Sequence, residues 1–309
     1  MAKQKISKVQ TIDGCVIESD YFYFSTKLDE LNPEKYDFSR VFYLYQNNWY
    51  HTDLDMDIVS VCLKSQTENE IRKVFSLSVQ GDVKIAYLGG EELEKIPNSG
   101  SYNGRGALSQ IKEINNHIYA CGFEGQVYKR LSNNNWKTID ENGKFGLKEI
   151  SQPINLNGIS GINEKNIFVV GFNGKILKFN GAIWSEIESN TAEHLERIVC
   201  VSENEIYVCG NNGTFLKGNQ NEFKNLSNSE IVENFWGIEY FNGKVYLSSL
   251  NGLFIYDGNK IEKLKTGLKP EIKGYRLDSK NGILLSSGGF DTAIYDGKKW
   301  KRITNPQNE

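Results

Sequence analysis

Residues 204–226 read NEIYVCGNNGTFLKGNQNEFKNL. An apolar run, Ile206 to Cys209, is followed by an Asn-Gly pair at 212–213 and then by a second β-rich run. A third run opens on the large residue Phe223. Asn before Gly tolerates positive φ at both central positions of a tight turn, so the segment predicts a hairpin leading into another strand. The apolar run is too short for a helix and is bounded by turn residues.

The same sentence recurs along the chain. NHIYACGFEGQVYKRLSNNNWKTID starts at Asn116, KNIFVVGFNGKILKFNGAIWSEIE at Lys165, GKVYLSSLNGLFIYDGNKIEKLK at Gly243 and GILLSSGGFDTAIYDGKKWKRIT at Gly282. The turn marker falls at Gly125, Gly174, Gly213, Gly252 and Asp291, in steps of 49, 39, 39 and 39. The large residue of the last strand keeps the same beat, at Trp136, Trp184, Phe223, Ile261 and Trp300. Units of about 40 residues with four strands are propeller blades. In the third blade the strands are expected near 109–114, 117–122, 126–131 and 135–139.

Two degenerate blades precede these five. One carries IVSVCLK and KVFSLSVQGDVKIAYLGGEELEKI, with Leu93 in the tryptophan's place. The other carries YFYFS, RVFYLYQ and NNWYHTDL, with Trp49 there. The reading is all-β: a seven-bladed β-propeller with four antiparallel strands per blade, at about 12–54, 55–98, 106–141, 155–189, 193–228, 233–267 and 272–304. Six blades is the alternative, if the first segment is a cap. Residues 1–11 form an N-terminal segment and 305–309 a tail. Ile6 to Ile12 closes the ring by adding a strand to the last blade, or blades one and seven pack through side chains. The latter is favoured, because the last blade already has four strands.

The repeats IYACGFEGQVYK, IFVVGFNGKILKF and IYVCGNNGTFLK resemble bacterial propellers of the sialidase-like and photosystem-assembly-factor-like repeat superfamily. The likeness runs over 107–304 and implies the fold, not an activity. The Ser-x-Asp-x-Gly-x-x-Trp sialidase signature and the Gly-His and Trp-Asp marks of WD40 repeats are missing, and no family's catalytic residues carry over.

Composition narrows the function. Thirty-six basic residues against 39 acidic ones give a net charge of -3, without the basic footprint of a nucleic-acid binder. The first nine residues are polar and include three lysines. No apolar signal core follows, and no run is long enough to cross a bilayer. A cytoplasmic protein is expected. Five scattered cysteines inside strand-like runs read as reduced and buried. His51, His117 and His194 have no ligand-like spacing and no Cys-x-x-Cys occurs, so neither a metal nor a cofactor is implied. There is no G-x-S-x-G elbow, Walker sequence or dinucleotide fingerprint. Nothing selects a carboxylate pair among 39 acidic residues, which leaves a propeller glycoside hydrolase or a carbohydrate-binding protein as the alternative.

The preferred reading is a non-catalytic protein-binding propeller. A narrower version is an immunity-type inhibitor that covers a cognate bacterial toxin. Inserts at 26–40, 98–106 and 140–154 fall on one face, where loops on a rigid support carry function. Counting by the period, Gln110 aligns with Gly158, Arg197, Trp236 and Tyr275. Trp236 is out of step with the repeated tryptophans. Arg197, Phe235, Trp236, Tyr275 and Arg276 are therefore the candidate partner-binding residues, since Trp, Tyr and Arg near a concave mouth are typical of interface hot spots.

Overall fold

The computed structural model describes residues 7–32, 36–141, 144–146 and 154–309. These fold into seven four-stranded antiparallel sheets, each built from four strands in chain order. The chain is a seven-bladed β-propeller, with blades at 9–54, 58–95, 108–138, 156–186, 195–225, 237–263 and 276–302. The innermost strands are Val9–Glu18, Ile58–Lys64, Leu108–Ile114, Leu156–Asn163, Leu195–Ser202, Gly237–Phe241 and Arg276–Lys280.

A single sheet of this width leaves both faces apolar, and each face is covered by a neighbour. Between blades four and five, Phe168, Val170 and Ile176 pack against Ile198, Ile206 and Leu216. Between five and six, Tyr207 and Phe215 meet Leu247 and Phe254. Every hydrophobic cluster among the described residues is shared in this way by two adjacent blades. Each fully buried aliphatic or aromatic side chain contributes about 1.5–3 kcal/mol.

The hairpin predicted at 206–216 is present, with Cys209 paired to Phe215. Asn173-Gly174 and Asn212-Gly213 take positive φ at both residues, and so does Glu124-Gly125. Asn251-Gly252 departs from this. Ser249 pairs with Gly252, so the turn residues are Leu250 and Asn251, and Gly252 already belongs to the next strand. The repeated glycines also link blades. The amides of Gly125, Gly174 and Gly213 donate to the carbonyls of Ile154, Glu193 and Glu233 in the connector that follows each blade.

Trp136 and Trp184 are buried inter-blade residues, as their spacing predicts. Their indole nitrogens donate to Glu94 Oε2 at 2.9 Å and to the Ile139 carbonyl at 2.7 Å, both on the preceding side. Leu93 does not substitute for a tryptophan. It is 60% exposed, and its neighbour Glu94, 2% exposed, faces inward. Strand alternation turns one residue out and the next in, so the inward group at this end of blade two is a carboxylate.

The ring closes without strand exchange. Of Ile6 to Ile12, residues from Ser7 on are described. Val9–Glu18 is the inner strand of the first sheet, so residues 9–11 belong to blade one. The last blade keeps its own four strands. Val16, Phe22 and Phe24 pack on Ile283 and Leu285 across the seam. One backbone bridge spans it, with Thr11 and Gly289 exchanging bonds of 2.7 and 2.9 Å. The tail at 305–309 also takes part. Asn308 donates to the Val9 carbonyl at 2.9 Å and accepts from the Val9 amide at 2.8 Å.

Candidate functional site

Connectors between blades lead into the innermost strands, so the start of each inner strand marks one end of the channel. The inserts cluster at that same end. Tyr102 in the 98–106 linker donates to Asp37 Oδ2 at 3.1 Å, and Arg105 pairs with Asp140 at 3.2 Å. Residues 33–35, 142–143 and 147–153 of the inserts lie outside the described residues.

At the mouth, Trp236 and Tyr275 immediately precede two inner strands. Their amides continue the ladders, donating to the Ser248 and Ser287 carbonyls at 2.9 and 3.0 Å. Gly237 lets blades six and seven close up here. A Cβ on it would lie 2.5 Å from Ser248 Oγ and 2.8 Å from the Tyr275 carbonyl. Above them is a cavity of about 280 Å³ lined by Gln10, Thr11, Ile12, Trp236, Tyr275 and Arg276.

The structural register corrects the alignment made by period. Gln110, Gly158, Arg197, Gly237 and Arg276 are the equivalent residues, each paired to the same place on the second strand of its blade. The irregularities at Gly161/Asn163 and Cys200/Ser202 add one residue to the first hairpins of blades four and five. Blades six and seven lack it, so Trp236 and Tyr275 stand one residue ahead of the equivalent position. Arg197 and Arg276 are therefore repeats of one another.

Both arginines reach back to the preceding blade. Arg197 Nη1 donates to the Asn157 carbonyl at 2.5 Å and the Glu196 carbonyl at 2.7 Å. Arg276 Nη1 donates to the Trp236 carbonyl at 2.8 Å and the Tyr275 carbonyl at 3.4 Å. Neither has a carboxylate within ion-pair distance among the described residues. Burial, reinforced by the Arg197 charge, lowers the Arg276 pKa to about 10. Arg276 Nε, Trp236 Nε1, Ser248 Oγ and Ser287 Oγ are buried without a hydrogen-bond partner among the described residues. Each such group costs about 1–3 kcal/mol.

The structure thus gathers Trp236, Tyr275 and Arg276 at the mouth, with the buried Arg197 deeper in the channel wall. Phe235 does not join them. It is fully buried and meets Phe254 edge-on at 5.2 Å, between blades five and six. Strand alternation turns it into the core, where it packs the blades.

Sequence reasoning missed the charged channel floor. Asp13, Lys112, Glu239 and Asp278 come from four different blades. Charges spaced along otherwise apolar inner strands were the available signal. Asp13 accepts from the Gly14 and Val61 amides, both at 2.9 Å, and Asp278 from the Val16 amide at 2.8 Å. These carboxylates hold strands together, which is different work from flanking a glycosidic bond. Burial raises the Asp278 pKa, and it raises Glu239 to about 7 against the opposing pull of Lys112. The folded chain therefore binds more protons than the unfolded one between about pH 4.3 and 7, and this term loses stability as pH rises through that window. Glu239→Gln is expected to raise stability by on the order of 2 kcal/mol at pH 8 and to change it little at pH 4. Thermal melts at both pH values check this, and an equal effect at both would refute it.

Burial also pushes the thiols up, those of Cys121 and Cys200 to about 12. They are free, and a raised pKa favours the neutral thiol, the less nucleophilic form. Among the described residues no group of three or more His, Cys, Asp or Glu is placed to hold a metal ion. No helix among them is long and apolar enough to cross a membrane.

Fold and mouth together define a β-propeller with a loop-rimmed mouth at one end of its channel. No family model matches the chain. It is 26% identical over 306 residues to the immune protein Tsi7 of Pseudomonas aeruginosa, an alignment covering 97% of this chain and 99% of that protein. Two solved propellers share the fold. The WD40 propeller domain of Doa1 superposes with a TM-score of 0.65 at 10% identity, over 97% of this chain and 94% of that one. YCF48 bound to D1 peptide superposes with a TM-score of 0.66 at 12% identity, over 98% and 94%.

Proposed function

We propose that the chain is a non-catalytic, protein-binding propeller that neutralises a bacterial toxin, acting in the cytoplasm. The observation that carries this is the likeness to Tsi7, which runs through almost the whole of both chains. A full-length match makes the whole ring the shared unit, not one blade or loop. The mouth fits the role physically. Its side chains are set by inner strands that neighbouring blades hold in place, so binding orders little of the propeller. Trp236 is half-buried with an arginine beside it, the combination from which interface hot spots are built.

The test uses the tagged full chain in lysate of its source bacterium, beside a Trp236→Ala/Arg197→Glu variant with an unchanged circular dichroism spectrum. The captured protein is then expressed in a naive host. It is expected to arrest growth, and the wild-type propeller to restore it. Loss of Trp236 alone should weaken the purified complex by about 30-fold or more, as removal of a hot spot does. A captured protein that is harmless sinks the toxin reading. Undiminished binding by the double variant moves the interface elsewhere. Cell fractionation checks the compartment.

A further inference from the structure

Two other arginines show what this chain does with a guanidinium that has a carboxylate to hold. Arg40 donates through Nε and Nη2 to the two oxygens of Asp53, at 2.6 and 2.7 Å. Arg130 does the same to Glu94, at 2.9 and 2.7 Å. The side-on edge of the group matches a carboxylate with two parallel bonds. At the channel mouth that edge has no partner. Arg197 and Arg276 are both held by Nη1 on backbone carbonyls, and the Nε and Nη2 of each bond to nothing among the described residues. Beside Arg276, the Trp236 indole N–H is a further donor without an acceptor among the described residues. The nearby carboxylates are otherwise occupied or out of reach. Asp13 spends both oxygens on backbone amides, and Glu196 makes no ion pair with either arginine.

We propose that the mouth is a carboxylate-binding site, filled by one Asp or Glu side chain that the protein partner inserts against the Nε/Nη2 edge of Arg276 and the indole N–H of Trp236. This rests on the protein-binding reading and deepens it. Arg197 lies deeper along the channel that Arg276 also lines and adds a second positive charge. The two donors are shielded in the free protein, so the half-exposed rings of Trp236 and Tyr275, which line the cavity, shift to admit the carboxylate. A net-negative chain that keeps two arginines without ion pairs among the described residues at one spot, Arg197 buried and Arg276 partly so, is complementary there to an acidic protrusion.

The indole N–H signals of the five tryptophans provide a direct readout. Trp236→Phe assigns the Trp236 peak in the full chain labelled with nitrogen-15. N-acetyl-glutamate methylamide is titrated to about 100 mM at constant ionic strength, a range suited to millimolar binding. Its neutral glutamine counterpart and inorganic phosphate are run beside it. The Trp236 peak is expected to move saturably with the glutamate compound and not with the glutamine one. The Trp136 and Trp184 indoles, already donating inside the fold, stay in place and report that each variant is folded. Arg276→Gln should weaken the response about tenfold or more, and Arg276→Lys should fail to restore it, because lysine lacks the fork.

No saturable movement, equal movement with both amides, or a response that survives Arg276→Gln overturns the proposal. A response to phosphate alone also overturns it, in favour of a phosphoryl ligand. With a captured partner in hand, one Asp→Asn or Glu→Gln change on it should be non-additive with Arg276→Gln. Additivity at every acidic position rejects the partner's side chain as the source. A harmless captured protein would sink the toxin reading while leaving the carboxylate site standing.

Discussion

Gly213→Ala is expected to destabilise the propeller by about 3–4 kcal/mol, the sum of a left-handed backbone penalty and a broken inter-blade hydrogen bond. Gly213 has φ +70°, and a Cβ there would sit 1.9 Å from the Ile231 carbonyl oxygen. The obstacle is main chain, so no side-chain rotation relieves it. The connector after blade five must move, and the bond from the Gly213 amide to the Glu233 carbonyl goes with it. Gly174 repeats the arrangement one blade earlier, with φ +69° and the Thr191 carbonyl oxygen 1.9 Å away. Asn212→Gly is the control, since Asn212 at φ 52° occupies a conformation glycine adopts freely. Urea titrations of the two variants separate the readings. Similar midpoints would mean that the turn, not the contact between turn and connector, governs stability.

Glu94→Ala should cost about 3–5 kcal/mol, the usual result of stranding one member of a buried ion pair. Glu94 is the hub of blades two and three. It receives Arg130 through two bonds, the Asn134 amide at 3.0 Å and the Trp136 indole at 2.9 Å. The loss leaves a guanidinium under cover with nothing to balance it. Glu94→Met combined with Arg130→Met should recover part of the stability, because the orphan charge is gone. Recovery stays incomplete, as the Asn134 and Trp136 donors are still unmatched. Burial tends to raise the Glu94 pKa, but the bonds from Arg130, Asn134 and Trp136 outweigh it and hold it below the ordinary carboxylate value. Its contribution is therefore present above about pH 4.3 and is lost as pH falls through the lower folded value. A double-mutant cycle from denaturation curves checks the pair. Additive single effects would show that the two side chains do not depend on each other.

The ring was legible because its period is enforced by contacts that repeat. The turn residues Gly125, Gly174 and Gly213 bond to the following connector in the same way, and Trp136 and Trp184 pack between blades alike, so the sequence keeps step there. What escaped reading was local to single blades. An added residue in the hairpins of blades four and five moved the equivalent position from Trp236 to Gly237, which no count of 39 detects. Leu93 takes the tryptophan's place by count, while the inward group of blade two is the carboxylate of Glu94. Trp236, Tyr275 and Arg276, singled out in sequence by their chemistry, do line one cavity at the mouth. Phe235 was drawn in by adjacency, and the side a strand residue faces follows from register, not from nearness in sequence. The charged floor shows in sequence only as single charges on separate inner strands, and only closure brings them together.

The joint between the first and last blades gives the mouth a second role. Gln10, Thr11 and Ile12 stand on one lip of that joint and Tyr275 and Arg276 on the other, around a single cavity. A ligand lodged there would touch both lips at once and work as a clasp across the seam. By mass action an occupied ring resists opening more than an empty one, so a partner seated at the mouth would add to the durability of the ring that holds it.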